Sequence, residues 1–309
     1  MRRFGENGIL GATVVQLPIW IGLAAFFAAL LGCGGPVESQ VDEDTEGHPL
    51  TGEIVEVRAT EGILKVAHDD IPDFMPAMTM DFVARRGDLE IFEPGMRIRA
   101  RLTRGENGEF VLKKIWPLGD SDAEKSIRKA TEAQAKRQKE MGSGRYLAEG
   151  DEAPEIALYD QFGQLIDGRE LRGKFVMMNF IFTRCKDAKM CPLSTSKMAR
   201  MQRQAKEEGV DNLFFVSVTM DPLYDTPGVL KEYGDLYSID GDNFRFATGP
   251  KAAVRGLLDA LGVTSVEKPE GGDYIHSLAT TLIGPDGKIV LRSDKSAWEV
   301  AEFLELVKG

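Results

Sequence analysis

The sequence predicts a protein of two folded parts, a small β-barrel followed by an α/β domain, joined by a charged helical linker. The chain has 309 residues, which is enough for two domains. Residues 50–118 show short alternating strands separated by glycine-containing turns, which is typical of a small barrel. From residue 146 to residue 309, apolar strands alternate with helices, which indicates an α/β sheet.

The composition excludes several classes of protein. The chain carries 38 basic and 49 acidic side chains, for a net charge of −11, whereas nucleic-acid binding needs clustered Lys and Arg. We therefore expect no nucleic-acid partner. Cys and His are scarce, with three of each, too few for a disulfide-stapled scaffold or a four-Cys zinc site. Any soft-metal chemistry must use nearly all of them.

The N-terminal segment predicts export. Arg2 and Arg3 precede a mostly apolar stretch that ends in Leu-Leu-Gly-Cys at Cys33, a pattern typical of a secretory signal. The ending resembles the bacterial lipobox, which implies a lipoprotein signal peptide over residues 1–33 and a lipidated Cys33. An uncleaved membrane anchor is the alternative, since the apolar run is long enough to span a bilayer. Either way the rest of the chain is expected to be extracytoplasmic and held at a membrane.

The acidic segment 34–49 predicts a flexible spacer, in which His48 would be solvated. In the barrel region, apolar residues two apart predict strands at 53–57, 63–67, 96–102 and 110–115. Residues 119–145 contain an alanine-rich helical pattern with acidic residues early and basic residues late, which matches the helix dipole. Because that pattern has no apolar face, we expect a solvated connector.

The elements of the α/β domain follow in order. Buried strands are expected at 176–182 and 213–218, and a hairpin at 280–283 and 289–292. Helices are expected at 193–208, 226–237, 251–261 and 298–307. Such alternation with one antiparallel hairpin places helices on the faces of the sheet.

Two cysteines mark a candidate site in this domain. Cys185 and Cys191 lie in FTRCKDAKMCP, between a predicted strand and a predicted helix, where α/β sheets carry their chemistry. A helix N-terminus would favour thiolate, so the pair is a candidate redox-active dithiol and metal ligand. A structural disulfide or two inert thiols are the alternatives. His276, in DYIHS, is by itself either a packed histidine or a ligand.

These motifs together resemble a known family. FxFTxC followed by CP, then SVTMDPLYDTP, DYIHS and LIGPDGKIV resemble the Sco/SenC family of thioredoxin-like copper proteins, over residues 148–309. The resemblance implies that Cys185, Cys191 and His276 bind copper, and two thiolates with one imidazole suit Cu(I) and can also hold Cu(II). Five residues separate the cysteines here where the family has three, which makes Met190 a candidate for an extra contact.

Asp221 and Asp225 match acidic positions of the same family motif. They would either cap the helix that starts near Thr226 or serve the site.

A second cluster lies in the barrel region. IPDFMPAMTMDF contains Met75, Met78 and Met80, and strand alternation puts Met78 and Met80 on one face. Such a cluster is either core filler or a Cu(I) site, since thioether with imidazole selects Cu(I). HDDIPDFMPAMTM resembles CusF-like periplasmic copper-binding domains, which are OB-type barrels, over residues 50–117. The resemblance implies that His68, Met78 and Met80 are ligands, with Met75 as a further candidate at the family's tryptophan position.

The two resemblances together predict a membrane-tethered copper metallochaperone. Its partners would be the copper ion, the membrane through the lipid anchor, and the copper subunit of a respiratory oxidase, as in cytochrome c oxidase assembly. A thiol-disulfide oxidoreductase that uses Cys185 and Cys191 is the alternative, because disulfide exchange needs the dithiol but not His276. Periplasmic copper buffering or detoxification is a second alternative.

Overall fold

A computed structural model describes residues 47–119, 121–268, 274–295 and 298–308. The predicted signal peptide, Cys33 and most of the predicted spacer lie outside these residues. Within the described ranges, no helix combines the length and the hydropathy that a bilayer crossing requires.

Five strands close the predicted barrel. They are β1 (His48–Arg58), β2 (Ile63–His68), β3 (Met78–Val83), β4 (Arg97–Arg104) and β5 (Phe110–Pro117), paired in the order β1-β2-β3-β5-β4. Every second residue of β2 is buried, which gives the period of two that predicted the strand. The strand order is consistent with the CusF-like barrel, and its assignment to the OB type stays a prediction. β1 begins at His48, two residues inside the segment predicted to be a spacer.

A short helix, α1 (Arg86–Ile91), follows β3 and was not predicted from the sequence. Only six residues long, it is too short to show a helical period, so its existence depends on tertiary packing. A longer helix, α2 (Ser121–Met141), occupies the predicted linker region.

The second part of the chain contains a seven-stranded sheet. Its strands are β6 (Ala157–Asp160), β7 (Leu165–Asp167), β8 (Phe175–Ile181), β9 (Leu213–Thr219), β10 (Phe244–Thr248), β13 (Thr280–Ile283) and β14 (Ile289–Ser293), while β11 (Ser265–Glu267) and β12 (Tyr274–His276) form a separate antiparallel ribbon. The order in the sheet is β14-β13-β8-β9-β10-β6-β7, and β8, β9 and β10 are parallel. The predicted hairpin is β13 and β14.

Four helices belong to the same part of the chain as this sheet. They are α3 (Cys191–Glu207), α4 (Pro227–Leu236), α5 (Lys251–Ala260) and α6 (Val300–Lys308), each within two residues of its predicted bounds. The core between them is rich in phenylalanine, with fully buried side chains at Phe180, Phe215, Phe244, Phe246 and Phe303. The central strands are buried on both faces, as expected for parallel strands covered by helices.

The expectation that the charged helix is a solvated connector is wrong. One face of α2 packs against α5 and β6, and Ile127, Ala130 and Gln134 are buried there. The Gln134 Nε2 donates a hydrogen bond to the Glu155 carbonyl oxygen at 2.6 Å. Beside Ile127, this face buries a small alanine and an amide whose Nε2 is hydrogen-bonded, so a count of large apolar residues does not reveal it.

Candidate metal centres

Two cysteines meet at the carboxyl edge of the parallel strands. β8 ends at Ile181, the following loop carries Cys185, and Cys191 is the first residue of α3. Pro192 lies at the start of that helix, where its fixed φ fits and its missing N–H costs nothing. Both cysteines are free thiols, Cys191 buried and Cys185 partly exposed. The loop therefore presents one accessible sulfur beside one shielded sulfur.

The two-stranded ribbon brings His276 to these sulfurs. His276 ends β12, where it pairs with Ser265 of β11. Its Nε2 lies 3.9 Å from the Cys191 Sγ, and the ligand atoms of Cys185, Cys191 and His276 all lie within 4.8 Å of one another. Its Nδ1 is 3.0 Å from the Ser277 carbonyl oxygen. Because a carbonyl only accepts, Nδ1 carries a proton. A metal ion would therefore bind His276 through Nε2, which lies on the side of the sulfurs.

The two thiols differ sharply in acidity. The Cys191 thiol donates a hydrogen bond to the Cys185 sulfur, and this contact, with a smaller one from His276, lowers the pKa of Cys185 to about 4. The same contact, together with burial, raises the pKa of Cys191. At neutral pH the pair therefore holds one thiolate and one thiol. A soft metal ion would displace the remaining proton, since metal ligation requires both sulfurs to be deprotonated.

A buried carboxyl group holds the loop that carries Cys185. Asp225 accepts hydrogen bonds from the Thr183 N–H at 3.1 Å and from the hydroxyls of Thr183 and Thr219. Burial raises the pKa of Asp225 to about 7. Thr226 is the N-cap residue of α4, and its side chain makes no cap hydrogen bond. The hydrogen bonds of the Asp225 carboxylate go to Thr183 and Thr219, not to the N–H groups of α4. The helix-capping alternative is therefore wrong for Asp225, which braces the cysteine loop instead.

Asp221 ties the same loop to the ribbon. It forms an ion pair with Arg184, the residue before Cys185, and accepts a hydrogen bond from the Tyr274 hydroxyl at 3.1 Å. Burial raises the pKa of Asp221. Tyr274 lies two residues before His276 on β12, so the two side chains share one face of the strand. Tyr274 was not predicted from the sequence, although its spacing of two from His276 is a signal that could have identified it.

At one end of the barrel, an imidazole faces two thioethers. His68, the last residue of β2, pairs directly with Met78 of β3, and Val66 pairs with Met80. Paired residues of antiparallel strands project to the same face, as do residues two apart, so the three candidate ligands share one face. His68 is 3% exposed and Met78 is 47% exposed. The group therefore extends from the barrel interior to solvent.

The His68 ring has one nitrogen without a partner. Its Nδ1 lies 2.8 Å from the Asp69 carbonyl oxygen, so Nδ1 carries the proton. Its Nε2 is buried and has no hydrogen-bond partner among the described residues. A buried polar atom left unpaired is costly. A soft ion held between this nitrogen and the thioethers would supply the missing partner, and Cu(I) is the ion that such donors select.

Two neighbouring residues complete this end of the barrel. Met75 forms an isolated bridge with Ile71 and packs, partly buried, against the barrel core. Its role as a further ligand stays a prediction. His48 is exposed, as expected for a solvated residue, but it opens β1, and its ring stacks on Phe74 with centroids 3.9 Å apart.

Two family models match the chain. The model described as SCO1/SenC matches residues 146–308, and the model described as copper binding periplasmic protein CusF matches residues 47–117. Each match contains one of the two groups of candidate ligands. The matches confirm both resemblances drawn from the sequence motifs.

One curated protein and two solved structures are similar to part of the chain. The SCO1 protein homolog of Bacillus subtilis is 32% identical over 141 residues, which cover 45% of this chain and 72% of that protein. The crystal structure of a SCO1/SenC family lipoprotein from Bacillus anthracis is 27% identical, with a TM-score of 0.47, over 51% of this chain and 93% of that chain. The structure of BsSco is 27% identical, with a TM-score of 0.45, over 53% of this chain and 96% of that chain. BsSco is described as having a disulfide switch and as a member of the Sco family of cytochrome c oxidase assembly proteins.

Proposed function

Since the chain belongs to the SCO1/SenC family, we propose that it is an extracytoplasmic copper metallochaperone that delivers copper to the copper centre of a respiratory oxidase. The observation that carries this proposal is the convergence of Cys185, Cys191 and His276, whose ligand atoms lie within 4.8 Å of one another. Two thiolates and one imidazole form a soft donor set suited to Cu(I) and able to hold Cu(II).

The exposure of the donors suits transfer rather than storage. Cys191 is buried, while Cys185 and His276 are each partly exposed. An acceptor's ligand can therefore approach from the side of Cys185 and His276 while Cys191 still holds the ion. Transfer by exchange among soft donors needs no covalent step on the protein, because each new metal bond replaces one of similar kind.

The barrel supplies a second soft site for capture. His68 with Met78 and Met80 offers imidazole and thioether donors, and thioethers do not need to lose a proton before binding. This set suits an oxidising compartment, where free thiolates are at risk of oxidation. We assign capture of Cu(I) to the barrel and delivery to the dithiol centre, with Met75 as a further barrel ligand.

The location and the tether complete the proposal. The signal-like N-terminus and Cys33 would export the chain and anchor it by lipid, which keeps both centres at the membrane surface. A membrane-held donor meets a membrane-embedded oxidase at a high effective concentration. The acceptor is therefore proposed to be the oxidase subunit that carries copper.

Replacing His276 tests the delivery proposal. In His276→Ala, we expect the Cu(I) affinity of the dithiol centre to fall by about 100-fold, the upper end of the loss caused by removing even an outer-shell partner of a metal site. Competition with a chelator measures this affinity, and His48→Ala is the matched control because His48 lies in the barrel, stacked on Phe74. An unchanged affinity in His276→Ala would remove His276 from the centre.

A thiol-disulfide oxidoreductase is the second candidate, favoured by the lowered pKa and partial exposure of Cys185. The Cys185 thiolate would attack a substrate disulfide to form a mixed disulfide, and Cys191 would then displace the reduced substrate, leaving a Cys185–Cys191 disulfide. This sequence does not use His276. In a strain lacking the gene, His276→Ala should therefore restore oxidase activity at limiting copper under this candidate and fail to restore it under the delivery proposal.

The phenotype of a deletion strain distinguishes copper buffering without delivery from the chaperone and from the oxidoreductase. A deletion strain that is sensitive only to excess copper, with normal oxidase activity when copper is scarce, would favour buffering. An oxidase defect at limiting copper would favour delivery.

A further inference from the structure

The residue that follows His68 is held by groups from two other strands. Asp69 comes directly after β2, and its backbone N–H donates a hydrogen bond to the Thr51 carbonyl oxygen at 2.9 Å. Its carboxylate Oδ2 accepts one hydrogen bond from the Thr51 hydroxyl and one from the Arg97 guanidinium, each at 2.6 Å. Thr51 lies on β1 and Arg97 on β4. Asp69 is therefore anchored through both its main chain and its side chain.

Asp69 in turn orients the ring of His68. The His68 Nδ1 lies 2.8 Å from the Asp69 carbonyl oxygen. Because a carbonyl only accepts, this contact requires the proton on Nδ1. The ring can then bind a metal ion only through Nε2, which is buried and has no hydrogen-bond partner among the described residues. The orientation of the candidate ligand therefore depends on where the Asp69 carbonyl group is held.

A glycine lets β1 come close to this group. Gly52 pairs directly with His68, and a Cβ placed on Gly52 would lie 2.8 Å from the His68 Cα and 2.7 Å from the Ala67 carbonyl oxygen. A real Cβ does not fit at such distances, so the close approach of the two strands requires glycine here. Thr51 precedes Gly52, and this approach brings its carbonyl oxygen and its hydroxyl within reach of Asp69.

The contacts of Asp69 are of a kind that adds little to folding. The side chains of Arg97 and Asp69 are 48% and 49% exposed, and exposed ion pairs contribute little to stability. Outer-shell partners have a different effect at metal sites, because they fix the tautomer and the ring orientation of a ligating histidine. The position of Asp69, between two anchoring strands and the His68 ring, suits that second role.

We propose that Thr51 and Arg97 position His68 for Cu(I), by holding Asp69 so that its carbonyl oxygen fixes the Nδ1–H tautomer and leaves Nε2 for the ion. Thr51 and Arg97 are positioning residues, since they act on the ion only through Asp69 and His68. The inference rests on the proposed barrel centre, because His68 is one of its ligands. It goes further in assigning the orientation of that ligand to residues of β1 and β4 that carry no soft donor.

Two measurements test this inference in the full chain with Cys185→Ser and Cys191→Ser, so that only the barrel centre is measured. Nitrogen NMR of the metal-free protein reads the tautomer of His68, and competition with a chelator gives the Cu(I) affinity. In Thr51→Val we expect a larger fraction of the Nε2–H tautomer and an affinity about 10-fold lower, the lower end of the loss caused by removing an outer-shell partner. Arg97→Met should change both readouts in the same direction. Valine keeps the shape of threonine and favours a strand, so the barrel should still fold.

Thr51→Ser and Arg101→Met are the matched controls. Serine keeps the hydroxyl, so Thr51→Ser should retain the tautomer and the affinity of the parent. Arg101 lies four residues beyond Arg97 on β4, where it is paired with Pro49 and Lys113. Arg101→Met should therefore change neither readout.

The two readouts distinguish a failure of this inference from a failure of the proposed function. A parent protein that binds no Cu(I) would remove the barrel centre, while the tautomer of His68 in the metal-free variants would still test the role of Thr51 and Arg97. An unchanged tautomer in both Thr51→Val and Arg97→Met would overturn the inference. An affinity that falls equally in Thr51→Ser or in Arg101→Met would overturn it as well.

Discussion

His68 and Met78 lie directly opposite each other on β2 and β3, and the barrel centre depends on that pairing. Met80 continues the same face inward, so both thioethers share a face with the His68 side chain. The Nε2 of that ring has no hydrogen-bond partner among the described residues. In the sequence, nine residues separate His68 from Met78. Only the antiparallel return of the strand brings the imidazole and the thioethers together.

Met78→Leu tests the thioether role directly. In a background with Cys185→Ser and Cys191→Ser, so that only the barrel centre is measured, we expect the Cu(I) affinity to fall by about 10- to 100-fold, comparable to the loss of a supporting partner at a metal site. Leucine keeps the volume and the apolar character of methionine, so folding should be unaffected. Competition with a chelator gives the affinity.

Met96→Leu is the control for this variant. Met96 also packs against the barrel core, but its sulfur accepts a hydrogen bond from the Glu93 N–H and belongs to neither candidate set. Equal Cu(I) affinities in Met78→Leu and Met96→Leu would show that Met78 fills space only.

Single residues also show what the sequence could and could not predict. Cys185, Cys191 and His276 were identified by motif resemblance, and the structure brings their ligand atoms together. The bracing role of Asp225 could not be predicted, because its partner Thr183 lies 42 residues away and on a different loop. A carboxyl just before a helix resembles a cap in the sequence whether or not its side chain turns toward another element.

Among the elements, helices α1 and α4 cross where Gly87 and Gly228 approach each other, and this crossing contains an unusual carboxyl group. Asp88 is 3% exposed, its Oδ1 has no hydrogen-bond partner among the described residues, and burial raises its pKa to about 7. Arg85 partly offsets this rise and Glu232 adds to it. Arg86, Glu90, Lys231 and Asp235 surround the same crossing as ion pairs.

This carboxyl group makes stability depend on pH. The folded pKa of Asp88 lies above the unfolded value, so the folded state binds the proton more tightly, and stability falls as pH rises from about 4 to about 7. Between pH 5 and pH 7 we expect the free energy of unfolding to fall by about 2 kcal/mol from this group alone. Asp88→Asn, which keeps the shape without the charge, should remove that part of the decline. Urea unfolding of both proteins at several pH values measures the difference, and parallel pH curves would contradict the assignment.

The elements differ in how well the sequence predicted them. The strands β8, β9, β13 and β14 and the helices α3 to α6 were predicted within two residues of their bounds, because burial on one or both faces gives the sequence a clear period. Helix α1 and strands β6, β7, β10, β11 and β12 were missed. These strands have three to five residues each and α1 has six, and such short elements are stabilised by contacts with distant parts of the chain rather than by local pattern.

At the scale of the whole molecule, two unrelated architectures each bring scarce soft donors to one place. The barrel offers one histidine with methionines, and the α/β part offers one histidine with two cysteines. Of the three cysteines and three histidines in the chain, only Cys33 and His48 lie outside the two candidate centres. We therefore propose two copper sites per chain, which differ in donor chemistry and can exchange an ion of the same kind.

Copper titration of the whole chain under reducing conditions, followed by X-ray absorption at the copper edge, tests that claim most directly. We expect two Cu(I) ions per chain with sulfur and nitrogen ligands. In the Cys185→Ser and Cys191→Ser double variant, one ion should remain, bound by thioether sulfur and imidazole nitrogen. A single ion in the unaltered chain, or ligation dominated by oxygen, would contradict the account.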